Sequence, residues 1–295
     1  MVRFGVLGTG YWADVCHASG LAGHPDAELV GIWGRDPVKA TALAERHRVE
    51  AEADLDALLD KVDAVSLAVP PDVQAEVALR AAQAGRHLLL EKPLALSIEA
   101  ADRVVDEIEQ AGVASVVFFR ERFRESVQAW LTGAVAAGEW EGGTGMFLAS
   151  SLAPDSPFAA SPWRHRHGAL WDLVPHLLAL LIPVLGPVED VVAARGVRDT
   201  AHVAFRHEGG ASSDVTVSLT APAAAECLRL ELWGPSGFTQ APLAHGFEAP
   251  YARTVSALVS AIETGVPDPC AADFGAEVVH VVAAAERFLA SGAAV

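Results

Sequence analysis

Residues 2–16 read VRFGVLGTGYWADVC. Val2 to Leu7 form an apolar run rich in β-forming residues. The run stops at Gly8, Gly10 and the small Ala13 follow, and residues 11–22 suit a helix. Gly8-x-Gly10-x-x-Ala13 between a strand and a helix is the pattern of a dinucleotide-binding turn. The first glycine permits the tight turn, a side chain at Gly10 would hold the backbone off a pyrophosphate, and Ala13 lets helix and strand pack closely. The helix start adds free N–H groups and partial positive charge. An ordinary strand–helix turn uses glycine too, so the surrounding pattern has to decide.

That pattern alternates. ELVGIW (28–33) is followed by the turn Gly34-Arg35-Asp36-Pro37 and the helical stretch VKATALAERH. DAVSLAV (63–69) closes on Pro70 and Pro71, and a helix runs from Asp72 to Ala84. HLLLEKP (87–93) is a strand, Ser97 caps a helix to about Gln110, and VASVVFF (113–119) is a further strand. Nearly all-apolar strands alternating with helices imply a parallel sheet covered on both faces. After Arg120 the rhythm changes to a helix near Arg124–Ala137, a Gly-rich stretch, a strand near MFLASSL (146–152), a Pro-rich loop over 154–162 and a helix from about Asp172 to Leu185. Several strand-type runs separated by turns come next, with helices over 251–263 and 274–291 at the end. The fold class expected is α/β: an N-terminal Rossmann-type doubly wound parallel sheet over residues 1–120, then a C-terminal α+β domain over 121–295 with an open, largely antiparallel sheet.

Composition narrows the partners. The 295 residues are 52% hydrophobic, enough for a sizeable core, and the formal charge is −17 with no basic run. Nucleic acid and anionic membrane surfaces are therefore not expected as partners. Cys16, Cys227 and Cys270 are odd in number and far apart, which fits a reducing cytoplasm better than a disulfide framework. No signal peptide is recognised, and the apolar stretch 177–185, interrupted by Pro183, is too short to span a bilayer.

Three groups of residues can carry chemistry. In place of the acidic residue that binds the ribose hydroxyls of NAD stand Gly34 and Arg35. A small residue leaves room for a 2′-phosphate and an arginine can pair with it, so NADP is expected over NAD, with Asp36 capping the next helix. Glu91-Lys92-Pro93 ends a strand of the parallel sheet, where ligands gather. Lys92 is placed there either to touch substrate or to pair with Glu91. Within GALWDLVPHLLALL (168–181), Asp172 and His176 are four apart and share a helix face in apolar surroundings, where both need partners. A helix-start Asp172 and a satisfied core His176 account for the same pattern. A zinc site from His165, His167, Asp172 and His176 is disfavoured by Arg164 and Arg166, so no metal is expected.

GTGYWA (8–13), EKPLA (91–95) and GALWDLVPH (168–176) together resemble the glucose–fructose oxidoreductase/inositol dehydrogenase family. YARTVSALVSAIETGVP (251–267) resembles that family's ending. The resemblance implies a bound NADP or NAD and hydride transfer to or from a hydroxyl or keto group of a sugar, inositol or related polyol. It also implies a homodimer or homotetramer built through the second sheet. It makes Lys92, Asp172 and His176 the catalytic residues, with His176 as base, Lys92 on the reacting oxygen and Asp172 orienting substrate or imidazole. Cofactor contacts are expected from Gly8, Thr9, Gly10, Tyr11 and Trp12, from Gly34 and Arg35, and from Pro70, Gln74, Glu91 and Lys92. Arg122, Trp163 and Arg164 join the catalytic residues as candidate substrate contacts. Gln74 stands where many relatives carry histidine, Val174 and His167 where glycines are usual. A reductase of a non-sugar carbonyl, a diol dehydrogenase and a non-catalytic NADP-binding regulator are the competing readings.

Overall fold

A computed structural model describes residues 1–292. The chain forms two compact units. One comprises Met1–Phe123 and Gly246–Glu277, the other Arg124–His245 and the chain from Val278 onward. The expected division at residue 120 was linear, whereas the segment 246–277 returns to the first unit. Its anchor is Tyr251, fully buried among the rings of His17 and Phe118. Gly20 makes the space: a Cβ there would lie 2.3 Å from the Tyr251 ring.

The first unit is built on β1 (Val2–Leu7), β2 (Ala27–Trp33), β3 (Glu50–Glu52), β4 (Ala64–Leu67), β5 (His87–Glu91) and β6 (Ser115–Phe118). They form one parallel sheet in the order β3-β2-β1-β4-β5-β6. This is the doubly wound order whose direction reverses between β1 and β4, leaving a crevice at their carboxyl ends. After β1 a π-helical turn, Ala13–Ala18, runs into α1 (Ser19–Ala22). Then come α2 (Pro37–His47), α3 (Leu55–Leu59), α4 (Pro71–Gln83) and α5 (Ile98–Ala111). Asp36 and Ser97 cap α2 and α5 through their side chains. The short, polar β3 carries no apolar signal and exists only by pairing with β2 at the sheet edge.

The second unit holds α6 (Glu125–Ala137), β7 (Gly142–Leu148), α7 (Pro162–Leu185), β8 (Val188–Arg195), β9 (Ala201–His207), β10 (Ser212–Ser218), β11 (Cys227–Gly234) and β12 (Gly237–Gln240). The sheet order is β12-β11-β7-β10-β9-β8, and only β7 and β10 pair in parallel among the described residues. Strand β7 begins inside the Gly-rich stretch, four residues before the expected MFLASSL strand. Those glycines serve packing: a Cβ on Gly143 or Gly145 would meet Leu181 or Leu177 of α7 at 3.0 and 3.1 Å. Helix α7 starts ten residues before the expected Asp172, with Ser161 at its N-cap, and breaks at Gly168 (φ 64°, ψ −162°). Its length and composition would suffice to cross a bilayer, but 83% of its most apolar window is buried inside the protein. Two closing helices follow, α8 (Glu248–Thr264) and α9 (Ala272–Ser291).

Two histidines are held in their neutral form. His87 Nδ1 accepts the Ala114 N–H at 2.9 Å, and fully buried His207 bridges Gly186 O and Ser213 Oγ, each at 2.7 Å. Burial lowers both pKa values from the ordinary 6.5. Their stabilising contribution is therefore complete above pH 6.5 and is lost as pH falls through the lowered folded-state values. We expect the urea midpoint to drop between about pH 7.5 and about pH 5, and His207→Asn, which keeps a donor for Gly186, to shrink that drop. An undiminished drop in the variant would contradict this assignment.

Candidate functional site

The turn after β1 is shaped by two different glycines. Gly8 has φ +137°, donates its N–H to Trp33 O at 2.9 Å, and leaves no space: a Cβ would lie 2.3 Å from Ala68 O. Gly10 is the opposite, exposed and with nothing within 4 Å of an added Cβ. The helical chain begins immediately beyond it, with Asp14 N–H returning to Gly10 O at 3.2 Å. A tight turn, an open glycine and a helix start make a cradle that fits a pyrophosphate. Thr9 lines the approach to Gly34, where a Cβ would come within 2.4 Å of Thr9 Cγ2. A side chain at position 34 would therefore have to displace the Thr9 methyl. Arg35 is exposed, and it carries no ion pair among the described residues. Asp36 Oδ1 accepts from Val38 and Lys39 N–H, as a cap.

The Glu91–Leu94 turn at the end of β5 is held from α4. Fully buried Gln74 donates to Glu91 O at 2.6 Å, Pro93 O at 3.1 Å and Leu94 O at 3.2 Å, and its Oε1 accepts Glu91 N–H at 2.8 Å. Its amide is thus bound to the turn's own backbone, where the sequence had suggested a contact on the cofactor side. Pro70 sits at the start of the same helix. The Glu91 carboxylate accepts the Trp12 indole N–H at 2.6 Å and lies 3.1 Å from His17 Nε2. Glu91 therefore pairs with Trp12 and His17, and the alternative of a Glu91–Lys92 pair is not the one adopted. Trp12 packs edge-on against Phe247, and Tyr11 is half exposed. The Arg122 guanidinium lies over the Phe274 ring at 5.5 Å.

In the second unit Asp172 and His176 lie one turn apart in α7, after the Gly168 break, and both are buried. Arg164, on the preceding turn of the broken helix, donates through Nε to Asp172 Oδ2 at 2.7 Å. Its guanidinium stacks on Phe158 and on the buried Trp163 at 4.5 and 4.6 Å. Arg164 thus supplies the charge partner that a buried Asp172 requires. The His176 ring lies 5.8 Å from that of Phe147, and Val174, two residues before His176, is fully buried. His165 bonds to Ala159 O, while His167 faces the Trp171 ring and Glu286. Sequence reasoning missed His17, Ser66 and Tyr251, which are linked by hydrogen bonds although as many as 185 residues separate them.

Comparison with known proteins adds the lineage. Residues 2–119 match a family model described as "Oxidoreductase family, NAD-binding Rossmann fold", and residues 134–239 match the GFO/IDH/MocA C-terminal domain. The chain belongs to the Gfo/Idh/MocA oxidoreductase family. Among curated relatives of this family member, UDP-N-acetylglucosamine 3-dehydrogenase of Acidithiobacillus ferrooxidans is 29% identical over 66% of the chain and 58% of its own length. Inositol 2-dehydrogenase of Rhizobium meliloti is 33% identical over 41% of the chain and 37% of its own length. The matched stretch thus spans less than two thirds of either relative. The crystal structure of GenD2 from gentamicin A biosynthesis, in complex with NAD, superposes with a TM-score of 0.86 at 25% identity, covering 99% of this chain and 95% of that one. The expected family and the α/β fold with a parallel Rossmann sheet and a mostly antiparallel second sheet are both borne out.

Gln74 holds the Glu91–Leu94 turn through two buried and two partly buried hydrogen bonds. Gln74→Ala is expected to lower unfolding free energy by roughly 3 kcal/mol in urea titrations, since the carbonyls it serves lose their donor. A change below about 0.5 kcal/mol would remove Gln74 from this role.

Proposed function

We propose that this protein is an NAD(P)-dependent dehydrogenase or reductase that acts on a hydroxyl or keto group of a small sugar, inositol or related polyol. The observation that carries the reading is the glycine turn: a left-handed, fully hemmed Gly8 and an open Gly10, set where strand order reverses. Family membership supports it, as do relatives named as dehydrogenases of a nucleotide sugar and of inositol. When bound, the dinucleotide supplies the acceptor or donor of hydride. The chain's own contribution begins with Gly10, Tyr11 and Trp12, whose backbone meets the pyrophosphate, and with Thr9 beside the adenosine end.

Lys92, Asp172 and His176 are the proposed catalytic residues. His176 takes the hydroxyl proton during oxidation and returns it during reduction, a task suited to an imidazole near neutrality. Lys92 donates to the same oxygen and stabilises negative charge on it. Asp172, already bonded to Arg164, orients what it touches. Arg122, Trp163 and Arg164 are proposed on the substrate side. The second sheet exposes Trp233 and Phe238 at its β11–β12 end, and pairing of two chains through this sheet would cover them. Three free cysteines fit action in the cytoplasm.

Two measurements test the reading. His176→Ala should lower kcat by about 10²–10⁴ and leave cofactor affinity intact. Unimpaired turnover would remove His176 from the reaction. For the cofactor we propose NADP, because Gly34 carries no carboxylate and Arg35 is available to a 2′-phosphate. Arg35→Ala should weaken NADPH binding about tenfold and change NADH binding little. Equal affinity for both cofactors in the unaltered protein would refute the preference.

A further inference from the structure

Two side chains on the helical segment after the glycine turn end on one atom. The Trp12 indole N–H donates to Glu91 Oε1 at 2.6 Å, and His17 Nε2 lies 3.1 Å from the same oxygen. Glu91 closes β5, which is separated from β1 by β4 alone. Its side chain is 14% exposed, and His17 is fully buried.

The backbone of the segment favours this convergence. In an α-helix, residues five apart point about 140° apart around the axis. From Trp12 to His17 the chain runs instead through the π-helical turn Ala13–Ala18, whose wider i→i+5 bonding returns such residues to one face. Both partners are braced from further elements of the same unit. Trp12 packs edge-on against Phe247 at the start of α8, and His17 Nδ1 lies 2.8 Å from Ser66 Oγ on β4. The start of the segment has little else to steady it: Gly10 is exposed, Tyr11 is half exposed, and Trp12 makes no side-chain cap. The first N–H groups of a helix have no intrahelical acceptor, so the hold on the first turn sets where they point.

We infer that Glu91 is a positioning residue for the dinucleotide cradle: through Oε1 it fixes Trp12 and His17, and so aims the first N–H groups of the helix that follows Gly10. That role rests on the reading of Gly8–Trp12 as a cradle. Glu91 serves in it as a hydrogen-bond acceptor and not as a charge. A negative charge near a pyrophosphate opposes its binding, so loss of the charge alone would tighten the cofactor. Loss of the acceptor would loosen it, and the two effects differ in sign.

Calorimetric titration of the intact protein with NADPH separates them. Glu91→Gln keeps an amide oxygen that can accept both donors, and it should bind NADPH no more weakly than the unaltered protein. Glu91→Ala and Trp12→Phe should each weaken NADPH about tenfold, and the double variant should be no weaker than the worse single one. In cofactor-free protein, amide hydrogen exchange at Tyr11, Trp12 and Ala13 should quicken in both single variants and stay unchanged in Glu91→Gln. Trp12→Phe leaves His17 its acceptor, and if Glu91→Ala does not fold, unchanged affinity in Trp12→Phe overturns the inference. Glu91→Ala that binds as well as the unaltered protein would overturn it, as would losses that add in the double variant or a Glu91→Gln as weak as Glu91→Ala. Failure of the unaltered protein to bind NADPH or NADH would strike the cradle itself, whereas normal binding in Glu91→Ala would strike only the role of Glu91.

Discussion

The first unit depends on one backbone contact. Gly8 lies between two strands, its N–H on Trp33 O and its α-carbon against Ala68 O, with no space for a Cβ. Ala68 N–H in turn bonds to Leu7 O at 2.8 Å. These contacts pin the end of β1 between β2 and β4, where the strand order reverses, and force the chain into a left-handed turn. The open position at Gly10 and the start of the following helix both follow from that turn. Register carries the constraint outward: Val6 faces Ser66, and Ser66 faces Leu89, two residues before Glu91.

In each unit, neighbouring side chains hold the candidate residues or their turn. Gln74 clamps the backbone of the turn that carries Lys92, while Trp12 and His17 take up the adjacent carboxylate. In the second unit Arg164, braced by two aromatic rings, compensates buried Asp172. A buried carboxylate without such a donor would be protonated or expelled to water. Apart from Trp12, these partners lie outside the quoted motifs, where members of one fold can diverge.

The sequence made the first sheet legible because its strands are continuous apolar runs and its turn carries a positional glycine code. The second sheet was legible as a set of strands but not in its detail. The Gly-rich stretch before MFLASSL carries no strand signal, yet Gly143 and Gly145 let α7 approach β7. The start of α7 was missed because Gly168 interrupts the apolar pattern midway. Motif and spacing pick out Lys92, Asp172 and His176 only as candidates. Their partners were not legible, since nothing local links Gln74 to residue 93 or His17 to Tyr251. Those links exist only after the sheet has assembled and 246–277 has returned to the first unit.

The central claim is that the backbone from Gly8 to Trp12 is a dinucleotide cradle. Backbone amide NMR of the intact protein, titrated with NADPH and with NADH, addresses it directly. The account predicts saturable shifts that are largest at the amides of Gly10, Tyr11 and Trp12. Saturable binding that leaves those amides unmoved, or no binding of either nucleotide, would contradict it.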